Sequence, residues 1–141
     1  MSEYNKPLPE IEGWWHKDFW EGCKRHELLI QQCGDCSKIN IYSPRMLCPH
    51  CLSSNLKWIK SSGRGKIYSF TVVMAYPPKI FTDALPYVIG VITLEEGPRM
   101  RSNIIGYKPG ELRCDMEVEV VFEDITDKYA LPKFRPVKTL A

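Results

Sequence analysis

Cys33-Gly34-Asp35-Cys36 and Cys48-Pro49-His50-Cys51, with eleven residues between them, decide how this chain is read. Each Cys-x₂-Cys turn aims two sulfurs at one point, and two such turns close a tetrahedral shell around a metal ion. Four thiolates leave no position for water or substrate, so such a site holds structure and performs no reaction. A disulfide is the rival assignment. It asks a two-residue gap to close a strained ring, and nothing else in the chain looks secreted. The spacing therefore predicts Cys33, Cys36, Cys48 and Cys51 as the ligands of one Zn²⁺, with iron as the alternative, since thiolate sites accept either ion.

The pattern outward from the knuckles is mostly β. Residues 28–32 read as a short strand entering the first knuckle. Ile39-Asn40-Ile41-Tyr42 alternates apolar and polar residues between the knuckles, and residues 56–60 leave the second. Strand, knuckle, hairpin, knuckle, strand is the order of a zinc ribbon, and Cys48-Pro49-His50-Cys51 resembles a rubredoxin knuckle. Upstream, Trp15 and Phe19 are four apart, as are His16 and Trp20, which places aromatics on a helix flank. Asp18 offers a later start for a shorter helix running through Glu27. Trp14, Trp15, Phe19 and Trp20 have two readings: cover for the core, or a surface for a partner.

Downstream, Ser61-Ser62-Gly63-Arg64-Gly65 reads as a hinge. Longer strands follow at 66–74, 87–94, 99–105 and 116–122, with a last one near Phe134. Residues 75–84, with Pro77-Pro78, read as a loop. Five strands in an antiparallel arrangement suit a small Greek-key barrel of the OB type. The chain is thus expected to be mainly β in three parts: an N-terminal arm and aromatic helix (1–32), a rubredoxin-like ribbon (33–60) and a five-stranded OB-fold barrel (61–141).

Composition sets bounds. The 141 residues carry a net charge of +2, too small to argue for a nucleic-acid partner. Residues 33–66 hold +5, reduced to +3 by four thiolates and a divalent ion, whereas 67–141 sums to −1. A sequence-tolerant binder of single strands needs a basic barrel, which disfavours that alternative. Tyr68 and Phe70 fall on one face of the first barrel strand, as stacking residues would, or equally as core residues. No run of 18 apolar residues and no signal peptide are present, and reduced cysteines point to the cytoplasm. Cys23 and Cys114 are left over and read as buried small hydrophobes rather than nucleophiles. The three histidines, His16, His26 and His50, assemble no nucleophile–base pair by sequence, and no catalytic motif occurs, so intrinsic catalysis is not expected.

Over roughly residues 14–138 the chain resembles the zinc-ribbon plus OB-fold family associated with acyl-CoA enzymes, long classed as of unknown function. The resemblance lies in Phe19-Trp20-Glu21, the two knuckles with Pro44-Arg45, the stretch Gly63-Arg64-Gly65-Lys66-Ile67-Tyr68-Ser69-Phe70, then Pro86-Tyr87-Val88-Ile89-Gly90, Val120-Val121-Phe122-Glu123-Asp124 and Leu131-Pro132-Lys133-Phe134-Arg135-Pro136. It implies a non-catalytic, hetero-oligomeric accessory protein that holds acyl-CoA or bridges enzymes such as thiolase and hydroxymethylglutaryl-CoA synthase, or an acyl-CoA hydratase. Arg45 and Lys66 are the candidate contacts to CoA phosphates. Ser37 and Leu52 stand where family knuckles often place Gly, as does Asp115 before the Met116 strand. Arg25-His26-Glu27 replaces a Gly-containing turn.

Overall fold

The first element is a helix, α1 (Trp14–Lys24), and its sequence explains both its docking and its end. Phe19 and Cys23, four apart on one face, are buried at 5% and 0% exposure. His26 sits at φ 61°, and the Glu27 N–H reaches back to the Gly22 carbonyl at 2.8 Å. That six-to-one bond over a left-handed residue is a Schellman cap. The helix therefore runs from Trp14 rather than from Asp18, and stops before Glu27. The structure, a computed structural model, describes residues 4–9, 14–39 and 44–138, without the side chains of Trp14 and Trp15.

β1 (Leu29–Cys33) and β2 (Leu56–Lys60) pair antiparallel from Leu29↔Lys60 to Cys33↔Leu56, and the knuckles lie between them. Ile39 bridges Gln32, but the rest of the strand expected at 39–42 lies outside the described residues.

β3 (Arg64–Val73), β4 (Tyr87–Leu94), β5 (Arg99–Ile104), β6 (Glu117–Asp124) and β7 (Ala130–Pro136) close a barrel in the order β3-β4-β5-β7-β6. Four of the pairings are antiparallel, whereas β5 and β7 meet parallel at Ile104↔Phe134. The all-antiparallel expectation fails on parity: five strands in a closed ring cannot alternate direction throughout, so one neighbouring pair must run together. Residues 75–84, expected as a loop, contain a 3₁₀ turn (Lys79–Ala84) that starts after Pro78, whose φ is −51°.

A bulge places Tyr68 between the pairs Ile67↔Ile92 and Ser69↔Val91. Ile67 is fully buried, Tyr68 is 52% exposed, and Phe70 packs against the core. The bulge thus breaks the shared face expected of Tyr68 and Phe70. Ile67, Val88, Ile92, Ile104, Val118 and Phe134 fill the barrel, and Phe19 and Cys23 of α1, Leu28 of the link that follows and Ile30 of β1 join the same core.

The expected hinge is a clasp. Ser61 is buried, its hydroxyl donates to Glu96 at 2.8 Å, and the Ser62 N–H donates to the same carboxylate at 2.7 Å. The Ser62 hydroxyl donates to Glu95 at 2.7 Å. Gly65 is a packing glycine, since a Cβ there would come within 2.5 Å of the Thr93 carbonyl oxygen.

Candidate metal centre and the grooves of the barrel

The two knuckles are one turn used twice. In the first, the Ser37 N–H donates to the Cys33 carbonyl at 3.0 Å and the Cys33 N–H to the Lys38 carbonyl at 2.9 Å. In the second, Leu52 donates to Cys48 at 2.9 Å and Cys48 to Ser53 at 2.8 Å. The residue after each second cysteine takes the left-handed conformation, Ser37 at φ 63° and Leu52 at φ 62°. These are the positions where a glycine would be least strained.

The turns bring the sulfurs of Cys33, Cys36, Cys48 and Cys51 within 4.8 Å of one another. Cys33 to Cys51 and Cys36 to Cys48 are each 3.6 Å apart. A tetrahedral ion with metal–sulfur bonds of about 2.3 Å needs sulfurs about 3.8 Å apart, so the cluster fits a metal. The backbone N–H groups of Asp35 and Cys36 point at the Cys33 sulfur, and that of His50 at the Cys48 sulfur, all at 3.4 Å. His50 itself is exposed and stands outside the cluster.

The thiols bias one another. Burial works to raise Cys48, but the N–H groups of Cys51 and His50 and the neighbouring thiols outweigh it and bring it down to about 6. The Ser53 N–H works to lower Cys51, yet desolvation and the other three thiols push it up to about 12. Four thiolates this close repel, and a divalent cation is what allows all four to ionise together.

Asp35 ties the knuckles together, taking hydrogen bonds from the Ser53 hydroxyl and, at 3.2 Å, from the Asn55 amide. These donors hold its carboxyl below the usual carboxylate range. Gln31, 4% exposed, grips the backbone of Arg45 from both sides: its amide donates to the Arg45 carbonyl at 3.0 Å and its carbonyl accepts the Arg45 N–H at 2.8 Å. Sequence reasoning gave Gln31 no role. Its one signal was a polar residue inside a short strand.

The other candidate residues are dispersed. Arg45 is exposed on the ribbon, while Lys66 is exposed on β3, beside a groove of about 550 Å³ that also holds Arg64 and Arg99. Arg45 does not line that groove. Three carboxylates, Glu95, Asp115 and Glu117, balance its three cations, and the Arg99 guanidinium lies 3.7 Å over the Tyr68 ring. Phe19 is spent on the core, and Trp20 packs half-buried against it, edge to face at 5.0 Å. Cys23 is buried and its thiol is pushed up to about 12 by that burial. Cys114, expected to be buried, is exposed, because it falls in the turn before β6 rather than on a strand.

α1 is pinned to the barrel at its end. The His26 ring stacks on Phe122 at 5.3 Å and its Nε2 lies 3.1 Å from Asp124, which also pairs with Lys24 at 3.6 Å.

A four-cysteine ribbon joined to a five-stranded OB barrel defines a class of two-module proteins. Family models agree on both parts: the rubredoxin-like zinc ribbon domain of ChsH2 matches residues 20–57, and the C-terminal OB-fold domain of ChsH2 matches residues 58–123. A DUF35 domain-containing scaffold protein of Methanocaldococcus jannaschii is 39% identical over 111 residues, 77% of each chain. The chain belongs to this DUF35 family. It is also 33% identical over 132 residues to a probable enoyl-CoA hydratase alpha subunit of Thermomonospora curvata. That match takes 93% of this chain and spans only 40% of the relative's length. The benzoylsuccinyl-CoA thiolase subunit BbsA of Thauera aromatica is 32% identical over 97 residues, 68% of this chain and 63% of the subunit. Among solved structures, a chain of the Ltp2-ChsH2(DUF35) aldolase superposes with a TM-score of 0.79 at 29% identity, covering 91% of this chain and 98% of that one. No helix among the described residues is long and apolar enough to cross a membrane.

Proposed function

We propose that this chain is a cytoplasmic, non-catalytic accessory subunit that binds an acyl-CoA enzyme. The partners are a thiolase and the hydroxymethylglutaryl-CoA synthase that follows it, in a hetero-oligomer, with Zn²⁺ in the ribbon. The observation that carries the proposal is the match to DUF35 scaffold proteins over most of both chains, joined to relatives named as subunits of thiolase and hydratase enzymes. The closed four-sulfur cluster supports a structural ion. The division at 1–32, 33–60 and 61–141 belongs to the same proposal. Within it, Trp14, Trp15 and Trp20 supply partner surface beside the core residue Phe19. Lys66, with Arg64 and Arg99 in its groove, meets CoA phosphates, and Arg45 adds charge from the ribbon.

A direct contest tests this. Binding to a candidate thiolase and to single-stranded DNA is measured at near-physiological salt. The thiolase complex should be tight, little affected by salt, and weakened at least about tenfold by Trp15→Ala or Trp20→Ala, as for aromatic anchors at an interface. DNA binding should be weak and fall steeply with salt. Tight DNA binding without a thiolase complex reverses the assignment in favour of the single-strand-binding OB reading.

A further inference from the structure

The β4–β5 side of the barrel carries a groove of about 1480 Å³ whose wall is completed by the chain's own residues 4–9. The groove is bounded by β4 and β5, by the 3₁₀ turn and by residues of β6 and β7 around Asp124 and Leu131. In OB-folds the face of the second and third barrel strands, with the loop before it, is a site where chain-like ligands such as oligonucleotides and oligosaccharides bind. Here the segment along it is Tyr4-Asn5-Lys6-Pro7-Leu8-Pro9, which forms neither helix nor strand, bends at Lys6 and has its backbone restricted by two prolines.

Lys6 makes the specific contact. Its ammonium lies 2.9 Å from Asp83 and 5.8 Å from the centre of the Phe81 ring, and its side chain is 17% exposed. Carboxylate and aromatic face, both on the 3₁₀ turn, form a receptor for one cation. Three carboxylates border the groove: Asp83, Glu123 and Asp124. Glu123 is paired with Lys133, and Asp124 with Lys24 and His26. Among the described ion pairs, Asp83 alone depends on the arm for its cation.

We propose that this groove is a binding site for a lysine-bearing peptide segment, occupied in the free chain by residues 4–9. In the assembled complex a lysine-bearing segment of the partner enzyme takes their place, and this exchange rests on the accessory role proposed above. Tethering explains how a weak site stays filled. An attached segment acts at an effective concentration on the order of millimolar, and it yields to a segment that docking brings equally close.

The test uses the full, metal-loaded chain and a fluorescent peptide of residues 4–9. Lys6→Glu sets a carboxylate against Asp83, so the arm should leave the groove. This variant should bind the peptide at least about tenfold more tightly than the unaltered chain, whose own arm competes. Adding Asp83→Lys should abolish the gain. A Lys6→Glu chain that binds no better than the unaltered one, or a gain that survives Asp83→Lys, overturns the site. The peptide should also weaken the complex between the Lys6→Glu chain and the thiolase. A thiolase complex indifferent to the peptide overturns the exchange and leaves the accessory role standing. Peptide binding without any thiolase complex does the reverse: the site stands and the accessory role falls.

Discussion

The ribbon and the barrel solve the same problem with different physics. Among its described residues the ribbon has one sheet of two five-residue strands, and a sheet of that size is marginal in water. It compensates with four sulfurs gathered at one point, with Asp35 binding one knuckle to the other and Gln31 holding the chain between them. The barrel has five strands around residues of 2% exposure or less and no ligand cluster among its described residues. Where a segment cannot bury enough apolar surface, coordination chemistry replaces the core, and a bound metal's free energy becomes folding free energy.

Stripping the metal is the strongest way to break this comparison. Structural zinc is worth about 10–16 kcal/mol in isolated zinc-finger peptides. A strong chelator, or Cys33→Ser, should abolish amide protection over 33–56 while the barrel strands keep theirs. Uniform loss across both regions in hydrogen exchange would show that the modules do not fold by separate means. Cys23→Ser and Cys114→Ser should leave the metal content unchanged.

The converse substitution is Phe134→Ala. Phe134 is fully buried and belongs to both pairings that close the barrel, so truncation should cost about 3–5 kcal/mol in denaturant unfolding. Elemental analysis should still find one metal per folded chain. A metal content that falls in step with barrel stability would sink the contrast.

A smaller effect lies at the junction. Glu96→Ala removes the acceptor of Ser61 and Ser62 and should cost about 1–2 kcal/mol, with faster exchange over 61–65. Burial works to raise the Glu96 carboxyl, but the Ser62 N–H and Ser61 hydroxyl hold it below its ordinary value of 4.5. A lowered folded pKa stabilises fully above the unfolded value and is lost as pH falls through the folded one. The stability gap between the unaltered chain and Glu96→Ala should therefore be constant at neutral pH and close in acid below about pH 4.5. A gap that persists in acid assigns the effect to packing instead.

The smallest effect sharpens the ribbon's side of the comparison. Leu52 is 73% exposed at φ 62°, so Leu52→Gly removes strain without opening a cavity. It should raise the melting temperature slightly, by about 0.5–1 kcal/mol of stability. No change, or a loss, would mean that the exposed Leu side chain contributes more than its backbone costs.

Sequence alone determined what depends on spacing along the chain. Two Cys-x₂-Cys turns gave the four sulfurs that the fold gathers, alternation gave most of the strands, and the places where Ser37, Leu52 and Asp115 stand in for glycine proved left-handed, as did His26 within the Arg25-His26-Glu27 turn. Each of these is a property of a few adjacent residues. The tertiary structure decided what depends on which strand meets which. The Tyr68 bulge exists because β3 must stay in register with β4 on both sides of it, and the parallel β5–β7 contact because an odd ring must close. Glu96 reads as a solvated turn acid until the barrel carries it to Ser61, 35 residues away. Lys6 and Asp83 are 77 residues apart and become partners only once the chain has folded. Spacing is written in the chain, whereas such meetings are selected by the free energy of the whole fold, which no short window of sequence contains.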